Sequence, residues 1–104
     1  MEMHAGDIDA EAWASRFALL GDGTRLRLLV TMHESPGLGV GELAARAGVG
    51  ENAASQALRV LRQADWVQTS RVGRTVHYTL RSDAIVHRIL HEILGASHQH
   101  GRPR

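Results

Sequence analysis

Apolar residues recur along this chain at helical spacing, interrupted by glycine- and proline-marked turns. In residues 10–20, Trp13, Phe17 and Leu20 fall at i, i+4 and i+7, which makes one apolar stripe on a helix. Asp7 or Asp9 can cap it, and Gly21 follows it. Asp22-Gly23-Thr24 opens a second helix over 25–33, with Leu26, Leu29 and Val30 as its buried face, and Ser35-Pro36-Gly37 stops it. A short extended piece, 38–40, leads to a third helix over 41–47. The tight turn Gly48-Val49-Gly50 precedes a strongly periodic helix over 51–64, whose apolar face is Ala54, Leu58 and Leu61. Ser82 reads as the cap of a last helix from 83 to about 94, with Gly95 as its stop. Val86, Leu90, Ile93 and Leu94 form a broad stripe on that helix, widened by Ile85 and Ile89.

Between the fourth and last helices the pattern changes. Residues 66–71 and 75–80 are rich in β-branched and aromatic side chains, and Val72-Gly73-Arg74 joins them, which predicts a β-hairpin. The expected order is α-α-β-α-α-β-β-α. Two short helices joined by a glycine turn are the helix-turn-helix signature, and a hairpin after them makes it winged. The fold class is therefore mainly α with a small β-hairpin: one winged helix-turn-helix domain over 1–104, with 1–8 and 96–104 as mobile arms.

Composition narrows the function. At 104 residues and 43% hydrophobic, the chain suits one domain with a small core, for which a partner chain is a plausible stabiliser. With no cysteine, it has no disulfide, thiolate metal site or cysteine nucleophile. No stretch approaches the roughly 18 apolar residues of a membrane span. The acidic N-terminus has no apolar run behind it and does not read as a signal peptide, so the expected compartment is the cytoplasm.

The net charge of +1 conceals a segregation. Residues 1–45 carry three Arg against seven acids, a net of −4; residues 46–81 carry six Arg against two acids, a net of +4. Every cation is Arg. Its fork matches phosphate and guanine edges, although a GC-rich genome produces the same bias. On helix 51–64 the polar positions Asn52, Ser55, Gln56, Arg59 and Arg62 lie away from the apolar face. Asn52 and Gln56 can pair with adenine, Ser55 can reach a base or phosphate, and Arg59 can reach guanine or phosphate. Arg71 and Arg74 lie on the hairpin, where a wing would track the backbone, and Arg81 lies beside it. These features predict binding to double-stranded operator DNA.

Leu20-Gly21-Asp22-Gly23-Thr24-Arg25-Leu26-Arg27-Leu28-Leu29 resembles the opening motif of the ArsR/SmtB family of metal-responsive winged-helix regulators. Glu42-Leu43-Ala44, the run from Ser55 to Leu61, and Arg74-Thr75-Val76-His77-Tyr78 fall in register with that family's later motifs. The resemblance covers about residues 10–95. The chain departs from it at Ala57, where the family commonly has His, and at Asp65, where it commonly has Gly. The resemblance implies a homodimer joined through the first and last helices, and a transcription regulator rather than an enzyme.

It also implies a metal site on the last helix, built from early ligands of one helix and late ligands of its partner. Seven His are present. At about 100° per residue, Asp83, His87, His91 and His98 fall within an arc of about 80° if the helix reaches His98. An antiparallel pair would set Asp83 and His87 against His98 and His100 of the other protomer. His91 and His4 are alternative ligands, and Ile85 stands where the family has its early His. Imidazole and carboxylate suit nickel, cobalt or zinc rather than thiophilic ions. His33 and His77 read as structural or DNA-facing. Two other readings remain: a winged-helix regulator that senses no metal and answers a partner protein or other signal, and a zinc peptidase suggested by His87-Arg88-Ile89-Leu90-His91. The second fails because Arg88 stands where that chemistry needs a glutamate base.

Overall fold

The computed structural model describes residues 8–101, with side chains followed to Gly95. The order is α1 (Ala10–Leu20), α2 (Gly23–Glu34), α3 (Val40–Ala47), α4 (Glu51–Gln63), β1 (Val67–Val72), β2 (Thr75–Leu80) and α5 (Ile85–Gly101). The extended piece before α3 contributes a single bridge, Leu38 to Tyr78, on the outer edge of β2.

The helix ends are local chemistry. The Asp9 carboxylate accepts from Ala12 N–H at 3.1 Å and caps α1. Asp22 accepts from Arg25 N–H at 2.9 Å and caps α2. The Arg25 side chain turns back and donates to the carbonyls of Leu19 at 3.1 Å and Ala18 at 3.2 Å, closing the C-terminus of α1. One Asp–Arg spacing of three thus finishes one helix and starts the next, with a cation at a negative helix end.

α2 is the central beam. Its buried residues are Leu28, Leu29 and Met32, whereas Leu26 and Val30 are only half-buried. The buried face is rotated from the expected one because α2 meets α1, α3, α4, α5 and β2 on different sides. Leu43 and Ala44 of α3, Ala54, Ala57, Leu58 and Leu61 of α4, Trp66, Val67, Leu80, and Val86 and Leu90 of α5 complete the core. α1 has no buried residue.

The hairpin pairs Val67 with Leu80 through Val72 with Thr75. Its two turn residues are Gly73, at φ 64°, and Arg74. Positive φ at the first turn position alone is the pattern of a type II′ turn, whose twist suits a hairpin. Asp65, between α4 and β1, has φ 63° without being glycine. This left-handed turn explains why glycine suits that position, and Asp is among the side chains that tolerate it. Asp65→Val should cost about 1–2 kcal/mol, because a β-branched side chain crowds its own carbonyl there. Chemical denaturation would measure this, and an unchanged midpoint would contradict it.

α5 departs from expectation at both ends. It begins at Ile85, not at 83, since residues 82–84 form a turn in which Ala84 N–H donates to the Arg81 carbonyl at 3.1 Å. It also runs through Gly95 to Gly101. A glycine inside a helix costs only about 1 kcal/mol, so without a left-handed conformation it does not end one. The arms expected at 1–8 and 96–104 fall largely outside the residues described, although the helical backbone extends well into the second.

Candidate nucleic-acid interface

α3 ends at Gly48, in the left-handed conformation at φ 72°, with Val49 N–H donating to the Ala44 carbonyl at 3.0 Å. This closure lets the chain reverse within three residues and lay α4 across α2 and α3. Gly50 precedes α4 and offers no side-chain cap. The first N–H groups of α4 are therefore left for solvent or a phosphate. Ala54, Ala57, Leu58 and Leu61 fix the inner face of α4 in the core. Asn52, Ser55, Gln56, Arg59 and Arg62 are all exposed on its other faces. The rigid support behind this face suits a helix that enters a major groove.

The wing adds Arg71 and Arg74, both exposed, and Val72, 60% exposed at its tip. Among the described residues, Arg59, Arg62, Arg71 and Arg74 form no ion pair. The other two Arg of the basic segment are engaged. Arg46 meets Glu42 at 3.4 Å and Ser35 Oγ at 3.1 Å. Arg81 holds Asp83 through two bonds of 3.1 and 2.9 Å. Within the basic segment, the positive charge not engaged by a carboxylate is therefore concentrated on α4 and the wing.

The wing is stitched to the α2–α3 loop. Gly37 N–H donates to the Tyr78 carbonyl at 3.1 Å, and Tyr78 N–H donates to the Leu38 carbonyl at 2.8 Å. His77 Nδ1 lies 2.7 Å from the Gly37 carbonyl, which can only accept, so Nδ1 carries the proton. His77 Nε2 lies 2.9 Å from Thr75 Oγ1. His77 is thus a pin between wing and loop, a role its position in the sequence does not disclose.

The residues considered for metal binding are only partly brought together. Asp83 stands in the turn before α5, so it is not on the helical face that grouped it with the imidazoles. Hydrogen bonding from Arg81, and then its charge, hold the Asp83 carboxyl below the usual carboxylate range. His87 is half-buried and His91 exposed, and both turn toward His33 at the end of α2, with ring centroids 5.3 and 6.2 Å away. Sequence spacing missed His33 because only the packing of α2 against α5 brings it there. The side chains of His98 and His100 lie outside those described, and His4 lies outside the described residues. Among the described residues no three His, Asp or Glu side chains form a ready-made ligand set. No helix among them is long and apolar enough to cross a membrane.

Comparison with known proteins gives a consistent result, although no family model matches the chain. The chain is 39% identical over 77 residues to a transcriptional repressor SmtB homolog of Synechocystis sp., an overlap covering 74% of this chain and 58% of that protein. This chain thus spans less than two thirds of that relative's length. It is 34% identical over 88 residues to nodulation protein NolR of Rhizobium meliloti, covering 85% of this chain and 67% of the other. Among solved structures, the AntR antimony-specific transcriptional repressor superposes with a TM-score of 0.72 at 34% identity, covering 89% of this chain and 85% of that one.

Proposed function

The chain belongs to the ArsR/SmtB family of winged helix-turn-helix transcription regulators, a non-enzymatic family, and on that footing we propose that it is a homodimeric, cytoplasmic repressor-type protein that binds operator DNA and answers a divalent transition metal. The observation that carries the DNA reading is the exposed face of Asn52, Ser55, Gln56, Arg59 and Arg62 on a helix braced from behind, flanked by Arg71 and Arg74 of the wing. The dimer reading rests on Ile8, Phe17 and Ile93, which are more than half exposed on or beside α1 and α5. Two copies of one reading helix would meet two half-sites about one helical turn apart, so the operator would be an inverted repeat.

The metal reading rests on donor chemistry. One relative is named for antimony, a thiophilic element, and this chain has no cysteine to hold it. Its imidazoles suit zinc, nickel or cobalt. A pair of α5 helices, each with the turn before it, would offer Asp83 and His87 of one protomer with His98 and His100 of the other, provided Asp83 leaves Arg81. Bound metal would supply a fixed cross-link between the groups that ligate it.

Selection from a random pool of duplexes, followed by titration of the complex with zinc, nickel or cobalt, tests this function. An inverted repeat whose complex weakens as metal is added is expected. Enrichment without symmetry would overturn the dimeric reading. Operator binding indifferent to all three ions would replace metal sensing by a regulator that answers another signal.

A further inference from the structure

We propose that His33, His87 and His91 form a divalent transition-metal site within a single protomer, tying the end of α2 to α5. The proposal rests on the metal-responsive reading above and names a different set of donors. It shares only His87 with the set drawn from two α5 helices, so a single ion cannot use both.

His33 lies in the last turn of α2. His87 and His91 are four apart on α5 and so occupy one face of that helix. Metal–nitrogen bonds of about 2.0–2.1 Å place two imidazole centroids roughly 5 Å apart around a tetrahedral ion. The His33–His87 centroid separation of 5.3 Å is compatible with that spacing. The His33–His91 separation of 6.2 Å exceeds it by about 1 Å, within reach of a side-chain rotation at exposed His91. The described residues hold no ready-made set of three ligands, so the site would form by rearrangement of these rings as the ion binds.

A pocket of about 140 Å³ lies beside the cluster, lined by Met32, His33, Pro36, Thr79, Leu80 and His87. It has room for an ion and a coordinated water, which needs only about 10–15 Å³. Three neutral imidazoles without thiolate favour zinc, cobalt or nickel and leave a fourth position open.

The location gives the ion leverage. α5 carries one of the exposed apolar residues assigned to the dimer, Ile93, while α2 packs directly on α4. Beyond His33 the chain enters the loop whose Gly37 and Leu38 are bonded to the wing. An ion held by these three residues would therefore join the dimer helix to both DNA-contacting elements, and coupling between metal and operator must then run equally in both directions.

The test is calorimetric and absorption titration of the metal-free full-length protein with cobalt and zinc, without DNA. One ion per protomer is expected, with a tetrahedral cobalt spectrum. His33→Asn and His91→Ala should each weaken binding by about 100-fold or more, since even partners beyond the ligands are worth about 10–100-fold. Asp83→Ala and His98→Ala should stay within about twofold. Thermal melts of each metal-free variant check that the fold survives. Undiminished binding by His33→Asn overturns this site while leaving metal sensing intact. Absence of any ion on the unaltered protein overturns both.

Discussion

In the proposed dimer, Phe17→Asp and Ile93→Asp are each expected to leave a folded monomer. Phe17 is 60% exposed and Ile93 52% exposed in the protomer, on helices that pack Leu19 and Leu20, and Ile85, Val86 and Leu90, against the core. Trp13 stacks against Phe17 at 5.9 Å and is covered by the Arg16 guanidinium at 4.5 Å, so the apolar ridge of α1 is ordered without being buried. Exposed apolar side chains of this size suit the proposed interface. Placing a carboxylate in it without a partner costs several kcal/mol, enough to shift dissociation by about two orders of magnitude or more. Neither residue belongs to the protomer core, so secondary structure should be retained, which separates dissociation from unfolding. Sedimentation equilibrium measures the effect. A persistent dimer in both variants would move the interface elsewhere.

Gln56→Ala and Arg59→Ala should each weaken operator binding by about 1–3 kcal/mol, the worth of a good bidentate contact to a base edge. Both residues are exposed on α4, while Ala57 and Leu58 between them are buried, so the substitutions leave the support of the helix intact. Arg74→Ala, on the wing, should act differently. Loss of a phosphate contact weakens all duplexes alike and reduces the salt dependence by about one counterion. Competition binding with operator and shuffled duplexes distinguishes the two behaviours. If Gln56→Ala and Arg59→Ala both bind like the unaltered protein, α4 is not the reading helix.

The parts legible in the sequence were those fixed by local chemistry. α1 and α4 fall within a residue of where periodicity, Asp9 and the two glycines of the turn place them. β2 coincides with its expected span, and β1 is displaced by one residue. Exposure of Asn52, Ser55, Gln56, Arg59 and Arg62 followed from the apolar residues opposite them. Tertiary effects were hidden. The buried face of α2 shifts to Leu28, Leu29 and Met32 because five elements surround it. The start of α5 moves to Ile85 as Asp83 engages Arg81 and a turn intervenes. Gly95 lies in a continuing helix because nothing beside it demands positive φ. The candidate metal set suffered most. A helical projection grouped Asp83 with His87 but could not include His33, which approaches only through the packing of α2 on α5. Asp65 is the converse: its departure from the family's usual glycine became intelligible once its φ of 63° was known.

Sequence-specific reading of duplex DNA is the property on which the proposed role of this protein depends. It is tested most directly by equilibrium anisotropy of the purified protein with its selected duplex and a shuffled duplex of equal length, across a salt series. The selected duplex should bind at least about 10³-fold more tightly, and the logarithms of both affinities should fall linearly with the logarithm of salt concentration as phosphate counterions are released. Equal affinities for the two duplexes at every salt concentration would contradict that role.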